Sequence, residues 1–202
     1  MRKPAPTESP IHELLANRWS LRAFQPKAID APTLRSLFEA ARWAASSANE
    51  QPWRFIVASR DDAVAFQRLL ECLVPGNQRW AANAGALVLT VARMTFERND
   101  KPNPHAWHDC GMAIAQLWVE ATARGLGAHV MAGFERDKAR EVYQIPPGFE
   151  PVTVAALGYG AEPDSLPDDL RQRETAARQR RPLRETVFGA TWNEPAPFLD
   201  SR

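Results

Sequence analysis

Three residues near the start of the chain have the types and spacing to grip an anion. Arg18, Ser20 and Arg22 occupy alternate positions in Arg18-Trp19-Ser20-Leu21-Arg22-Ala23-Phe24. On an extended backbone alternate side chains share a face, which sets two guanidinium forks and a hydroxyl side by side. Such a set suits a phosphate: each fork offers paired donors and a charge, and Ser adds a donor without bulk. A second cluster, Ser46-Ser47-Ala48-Asn49-Glu50-Gln51-Pro52-Trp53, is a polar turn of small hydroxyl and amide side chains. It offers donors and acceptors to a flat heterocycle. Read alone, Arg-x-Ser-x-Arg is also what a solvated basic edge looks like. The two clusters together, with one helical pattern between them, are far more specific.

The elements that position these residues can be read in order. Ser9 as N-cap with Pro10 at the first helical position predicts a short helix carrying Ile11, Leu14 and Leu15. Asp30 and Pro32 repeat that signal, and Leu34, Leu37, Phe38, Ala41 and Ala45 keep helical spacing. Strands are expected over 53–58, 87–91, 128–131 and 152–157, helices over 61–73 and 137–143, and a helical turn over 79–83. Pro75-Gly76-Asn77 reads as a break and 93–107 as a loop. The helix over 108–124 is apolar on most sides, which places it within a core or between subunits. Gly125 and Gly127 end it. After Gly160 charge dominates, and the stretch reads as a tail or an arm packed on something else. Interleaved strands and helices give an α/β or α+β class. The absence of Gly-x-Gly-x-x-Gly argues against a Rossmann dinucleotide site.

Composition excludes several function classes. A net charge of +1 gives no bias toward nucleic acid or an anionic membrane. The longest apolar run, 85–92, is too short to span a bilayer, and no signal peptide is seen, so a soluble cytoplasmic protein is expected. The two cysteines, Cys72 and Cys110, make no disulfide framework. His105, His108, Asp109 and Cys110 fit no zinc spacing, so no metal is expected. Residues 1–9 are Pro-rich and read as a loose arm.

The two clusters, with their intervening helix, resemble the FMN-dependent nitroreductase family, and the similarity runs over nearly the whole chain. The resemblance implies an α+β fold: a central, mainly antiparallel sheet flanked by helices. It also implies a single FMN-binding domain over 10–164 and a homodimer in which the arm 165–202 wraps the partner subunit. Arg18 and Ser20, with Trp19 between them, match the FMN phosphate grip, and Arg22 the basic position near the flavin pyrimidine edge. Ser46, Ser47 and Asn49 match the turn that reaches the flavin of the other subunit, although Ala45 stands where the family usually has Pro. Asn77 resembles the Asn that bonds the flavin ring. Ala132 and Gly133 resemble the backbone segment that offers an N–H to flavin N5. Arg180 matches a late phosphate ligand, and Arg178 a further basic position.

The residues by themselves leave plainer readings open: Asn77 as a helix cap, Ser46 and Ser47 as turn formers, Arg178 and Arg180 as solvated charges. The implied activity is an FMN-dependent oxidoreductase using NADH or NADPH. It would reduce nitroaromatic, quinone or related small acceptors by a ping-pong hydride transfer through flavin N5. No side chain is nominated as catalytic. Loop 93–107, Trp43 and Phe134 are expected at the substrate wall. The alternatives are dehalogenase or flavin-fragmenting chemistry on the same fold, and a flavin-binding storage or sensor protein.

Overall fold

The computed structural model describes residues 3–200. Four strands, β1 (Trp53–Ser59), β2 (Ala86–Arg93), β3 (Leu126–Met131) and β4 (Phe149–Tyr159), form one sheet in the order β1-β2-β4-β3. Every neighbouring pair is antiparallel, with Ile56 opposite Leu89, Leu89 opposite Val154, and Ala128 opposite Leu157. Seven helices cover it: α1 (Glu13–Asn17), α2 (Ala31–Arg42), α3 (Ala63–Leu70), α4 (Pro75–Ala81), α5 (Ala106–Ala123), α6 (Arg136–Val142) and α7 (Asp168–Thr175). The α+β expectation with a mainly antiparallel sheet is therefore met.

Alternation along β2 sorts the core into two layers. Leu87, Leu89 and Val91 face a cluster with Phe66, Leu69, Leu73 and Trp80 from α3, α4 and the turn between them. Ala86, Val88 and Ala92 face the other way, onto Leu37 and Ala41 of α2 and Cys110, Ala113 and Leu117 of α5. Period-two side chains with both faces covered explain why β2 reads as an unbroken apolar run. The small residues of α5 let it lie close on the sheet. Among the described residues no helix is long and apolar enough to cross a membrane, and no group of three or more potential ligands is placed to hold a metal.

Four local expectations are corrected. Ser9 and Pro10 do not start α1, because its N-cap is His12, whose Nδ1 accepts from the Leu14 N–H at 3.2 Å. Residues 3–9 are not loose, residues 1 and 2 lying outside the described residues. The Ala5 N–H donates to the Ala16 carbonyl, the Lys3 ammonium donates to the Glu174 carbonyl, and the Glu8 carboxylate accepts from the Leu183 N–H. Pro75-Gly76-Asn77 is no break but the first turn of α4, since Pro suits the start of a helix, where its missing N–H costs nothing. The charged stretch after Gly160 does contain core: Leu166 and Leu170 are buried in this chain's own cluster, and Glu174 is fully buried. Leu166, Leu170 and Glu174 recur every fourth residue, and their spacing aims α7 inward despite its charge.

Candidate functional site

Segment 18–25 runs beside the end of β3 and β4. Ser20 bridges Ala128, Phe24 bridges Gly160, and the Gln25 N–H donates to the Tyr159 carbonyl. Leu21 plugs it to the sheet over Gly127, where an added Cβ would sit 2.4 Å from Leu21 Cδ2. The segment is not a continuous strand: the Leu21 N–H bonds back to the Trp19 carbonyl. Arg18, Ser20 and Arg22 therefore keep different company rather than one common face.

Arg18 lies over the Trp118 ring of α5, 4.3 Å from its centroid, a cation–π contact that orients the guanidinium. Burial and the like charges of Arg178 and Arg180 push Arg18 below its ordinary range. Arg178 lies close because its guanidinium donates to three carbonyls, of Lys3 and Ala16 at 2.7 Å each and of Arg18 at 2.9 Å. Arg180 makes one such bond, to Gln179. Among the described residues no carboxylate forms an ion pair with any of these three arginines. They border a cleft of about 570 Å³ whose other walls are residues 5–9 and the exposed Ile11 and Leu15. Three guanidinium groups crowded together, with Glu8 as the acidic residue on the facing wall, have the chemistry to attract an anion.

Arg22 sits apart. Its backbone N–H and that of Ala23 donate to the Glu174 carboxylate at 3.0 and 3.1 Å, and its Nη1 lies 3.9 Å from Glu174 Oε2. His129 of β3 supports the same stretch by donating Nδ1–H to the Leu21 carbonyl. Burial and the Arg22 charge hold its pKa down at about 4, so it stays neutral.

Asn77 and Gly133 meet at the other end of β3. Asn77 Nδ2 donates to the Gly133 carbonyl at 2.9 Å, and a Cβ on Gly133 would come within 2.6 Å of that nitrogen. Only Gly allows the approach, which leaves the 132–133 backbone open beside Asn77. Phe134 follows, and Arg136 spans from its ring to that of Trp107 at the start of α5. Ser20 is level with Ala128, so Gly133 lies five residues further on, at most ~16 Å away at ~3.3 Å per residue. α5 gives the same measure. Trp107 and Trp118 are eleven residues apart, about three turns, so they share a face at a separation of ~16 Å. Ser20 and Gly133 thus mark the two ends of β3, with Trp118 beside the arginines and Trp107 beside Phe134.

The turn with Ser46, Ser47 and Asn49 lies elsewhere. The Ser47 N–H donates to Asp109 Oδ2 at 3.0 Å. Asp109 is two residues after Trp107 and nine before Trp118, which puts it on the opposite side of α5 from both. Ala48, Asn49 and Gln51 all have positive φ, and the Ser46 hydroxyl accepts from the Gln51 N–H at 3.0 Å. Trp43, expected at the substrate wall, is 71% exposed and held by Glu39. Cys110 is no nucleophile, since burial first, with Asp109, pushes its thiol up to about 12.

Sequence reasoning placed Arg18, Arg178 and Arg180 in one site, and the structure brings them together. It missed Glu174, Lys3, Trp118 and Asp109. Glu174 was the most legible of these, as a carboxylate continuing the Leu166–Leu170 spacing.

Comparison with known proteins decides the kinship. The model of the Nitroreductase family matches residues 15–159. The chain belongs to the nitroreductase family. A protein of Mycolicibacterium smegmatis, described only as an uncharacterized 15.4 kDa protein, is 34% identical over 149 residues, covering 70% of this chain and 99% of its own. A putative NADH dehydrogenase/NAD(P)H nitroreductase of Archaeoglobus fulgidus is 26% identical over 152 residues, 73% of this chain and 83% of its own. Among solved structures, an oxidoreductase containing FMN superposes with a TM-score of 0.89 at 34% identity, covering 94% of this chain and 96% of that one. A nitroreductase family protein of Clostridium difficile shares the fold at a TM-score of 0.69 and 23% identity, over 91% of this chain and 99% of its own.

Proposed function

We propose that this nitroreductase-family chain is an FMN-dependent NAD(P)H oxidoreductase that reduces small nitroaromatic or quinone acceptors. One observation carries the reading: Arg18, Arg178 and Arg180 crowd together beside one end of β3, and the Asn77–Gly133 pair stands at the other. That layout fits FMN, a phosphate joined through a flexible chain to a flat ring. The names of the relatives, one containing FMN and one a putative NAD(P)H nitroreductase, support the same choice.

Arg18 and Arg180 would hold the phosphate, with Ser20 beside them, while Arg178 locks the backbone that carries Arg18. Trp19 packs against the core and fixes the angle of this segment. Asn77 and the 132–133 backbone would orient the ring, and Arg22 would lie toward its pyrimidine edge. When bound, FMN supplies the two-electron chemistry, accepting hydride from NADH or NADPH in one half-reaction and giving it to the acceptor in the other. The protein positions and tunes; none of these side chains is required as acid or base.

The position of the 46–51 turn supports a homodimer. It is tied to Asp109, on the side of α5 away from Trp107 and Trp118, so Ser46, Ser47 and Asn49 would serve the flavin of a second copy. The unburied side of α5, with Gly111 and Ala115 exposed, offers the close-packing surface for that copy. Residues beyond 180 would extend over the partner.

The test is the visible spectrum of the purified protein, identification of the flavin released by heat, and steady-state oxidation of NADH and NADPH with a quinone and a nitroaromatic. Bound FMN and turnover are expected. A protein that comes colourless and takes up no added FMN overturns the reading. Bound FMN without turnover leaves a flavin-binding protein and removes the enzyme.

A further inference from the structure

Glu174 is a buried carboxylate with an unusual set of neighbours. Its side chain has 0% exposure, against 25% for Arg22. It accepts from two successive backbone N–H groups, of Arg22 and Ala23, and its Oε2 is 3.9 Å from Arg22 Nη1. A charge is buried this fully only when it is paired and hydrogen-bonded. It also lies at the edge of a basic group: its charge acts on Lys3 and Arg22, and Arg173 acts on Arg22. A merely structural anchor for α7 could be apolar, as Leu170 is one turn earlier and Leu166 just ahead of the helix. The two N–H bonds explain a polar residue here, but the guanidinium contact sets Arg22 apart from Arg18, Arg178 and Arg180, which form no ion pair among the described residues.

We propose that Glu174 is a positioning residue that directs Arg22 and partly offsets its charge, and so sets the midpoint potential of the bound flavin. The inference rests on the FMN reading above. A full positive charge at the pyrimidine edge favours the reduced flavin, which carries extra negative charge. A carboxylate 3.9 Å behind that charge, in a poorly solvated place, opposes it. The arginines of the anion site bind the phosphate undamped, whereas Arg22 is damped. One chain thereby separates the strength of cofactor binding from the ease of cofactor reduction.

The experiment compares FMN-loaded wild type, Glu174→Gln and Leu170→Ala by spectroscopic redox titration, with melting temperature and FMN affinity measured alongside. Glu174→Gln keeps the shape and removes the charge. Its potential is expected to rise, with the half-reaction that reduces the flavin gaining and the one that reoxidises it losing. Leu170→Ala loosens the same helix without touching a charge, so it is expected to lower the melting temperature and leave the potential alone. A potential unchanged or lowered in Glu174→Gln overturns the proposal, as does an equal shift in Leu170→Ala. Should Glu174→Gln fail to fold, Glu174→Asp draws the charge back by one methylene, with a smaller rise expected; no rise counts against the proposal. If wild type holds no flavin, the FMN reading fails first; wild type with flavin but without these shifts sinks this inference alone.

Discussion

The anion site and the 46–51 turn are both polar, but they are built in opposite ways. At the anion site the bonds are long-range: Arg178 joins carbonyls 160 to 175 residues away, and Glu174 joins N–H groups 151 and 152 residues away. In the turn most bonds close within five residues, with two longer ones, from the Ser47 N–H to Asp109 and from the Glu97 N–H to Glu50. Three non-glycine residues at positive φ show that the turn holds a strained form of its own. The contrast separates two tasks. A cluster of like charges is stable only if a finished fold forces it together, whereas a donor-rich loop can hold its shape largely through its own short-range bonds.

The largest effect sharpens this contrast directly. Replacing Arg18 and Arg180 by Ala removes two charge-assisted contacts, roughly 3–6 kcal/mol in all, so FMN affinity measured by fluorescence titration should fall at least 100-fold. If the turn serves the partner, the Arg18→Ala/Arg180→Ala chain mixed and refolded with a chain whose 46–49 turn is replaced by glycines forms heterodimers with one intact site. Each parent binds weakly, and the heterodimer should bind one FMN per two chains. No recovery would place turn and arginines in the same copy's site.

Acid should loosen the arginine end and spare the turn. The folded pKa of His129 is depressed to about 4 from an ordinary 6.5. The unfolded chain therefore takes up the proton first as pH falls, and the stability His129 contributes is present above pH 6.5 and lost toward pH 4. The loss is about 3 kcal/mol between neutrality and pH 4. Denaturant melts across that window should show it, and His129→Gln should flatten it.

Gly133→Ala brings a methyl to 2.6 Å from Asn77 Nδ2. A cost of about 1–3 kcal/mol in stability, with weaker ring binding and an intact anion site, is expected; comparing FMN with inorganic phosphate as competitor separates the two ends. The smallest effect belongs to the turn. Ser46→Ala removes the acceptor for the Gln51 N–H, worth about 1 kcal/mol, visible as a modest drop in melting temperature.

Much of this was legible in the sequence, and the misses share a cause. β2 announced itself because a strand covered on both faces has no polar alternation. α2 did so because Asp30 caps it, accepting from the Thr33 N–H at 2.8 Å. Arg18, Arg178 and Arg180 came from matching spaced motifs, not from any local rule. Glu174, Lys3 and Glu8 escaped because their partners lie more than 150 residues away, and no window of sequence shows such a contact. The start of α1 was misplaced for the same reason: Ser9 and Pro10 lie in a segment that the far end of the chain holds extended.

The Arg178 guanidinium also has a consequence for the order of events during synthesis. It ties Lys3, Ala16 and Arg18 to a residue made after the last strand. All four strands and helices α1 to α6 are encoded by residue 159 and can close while the chain is still being extended. Segment 18–25 can dock on that sheet early, but the carbonyls that Arg178 gathers wait until residue 178 has left the ribosome. The arginine cluster is thus completed after the sheet that supports it.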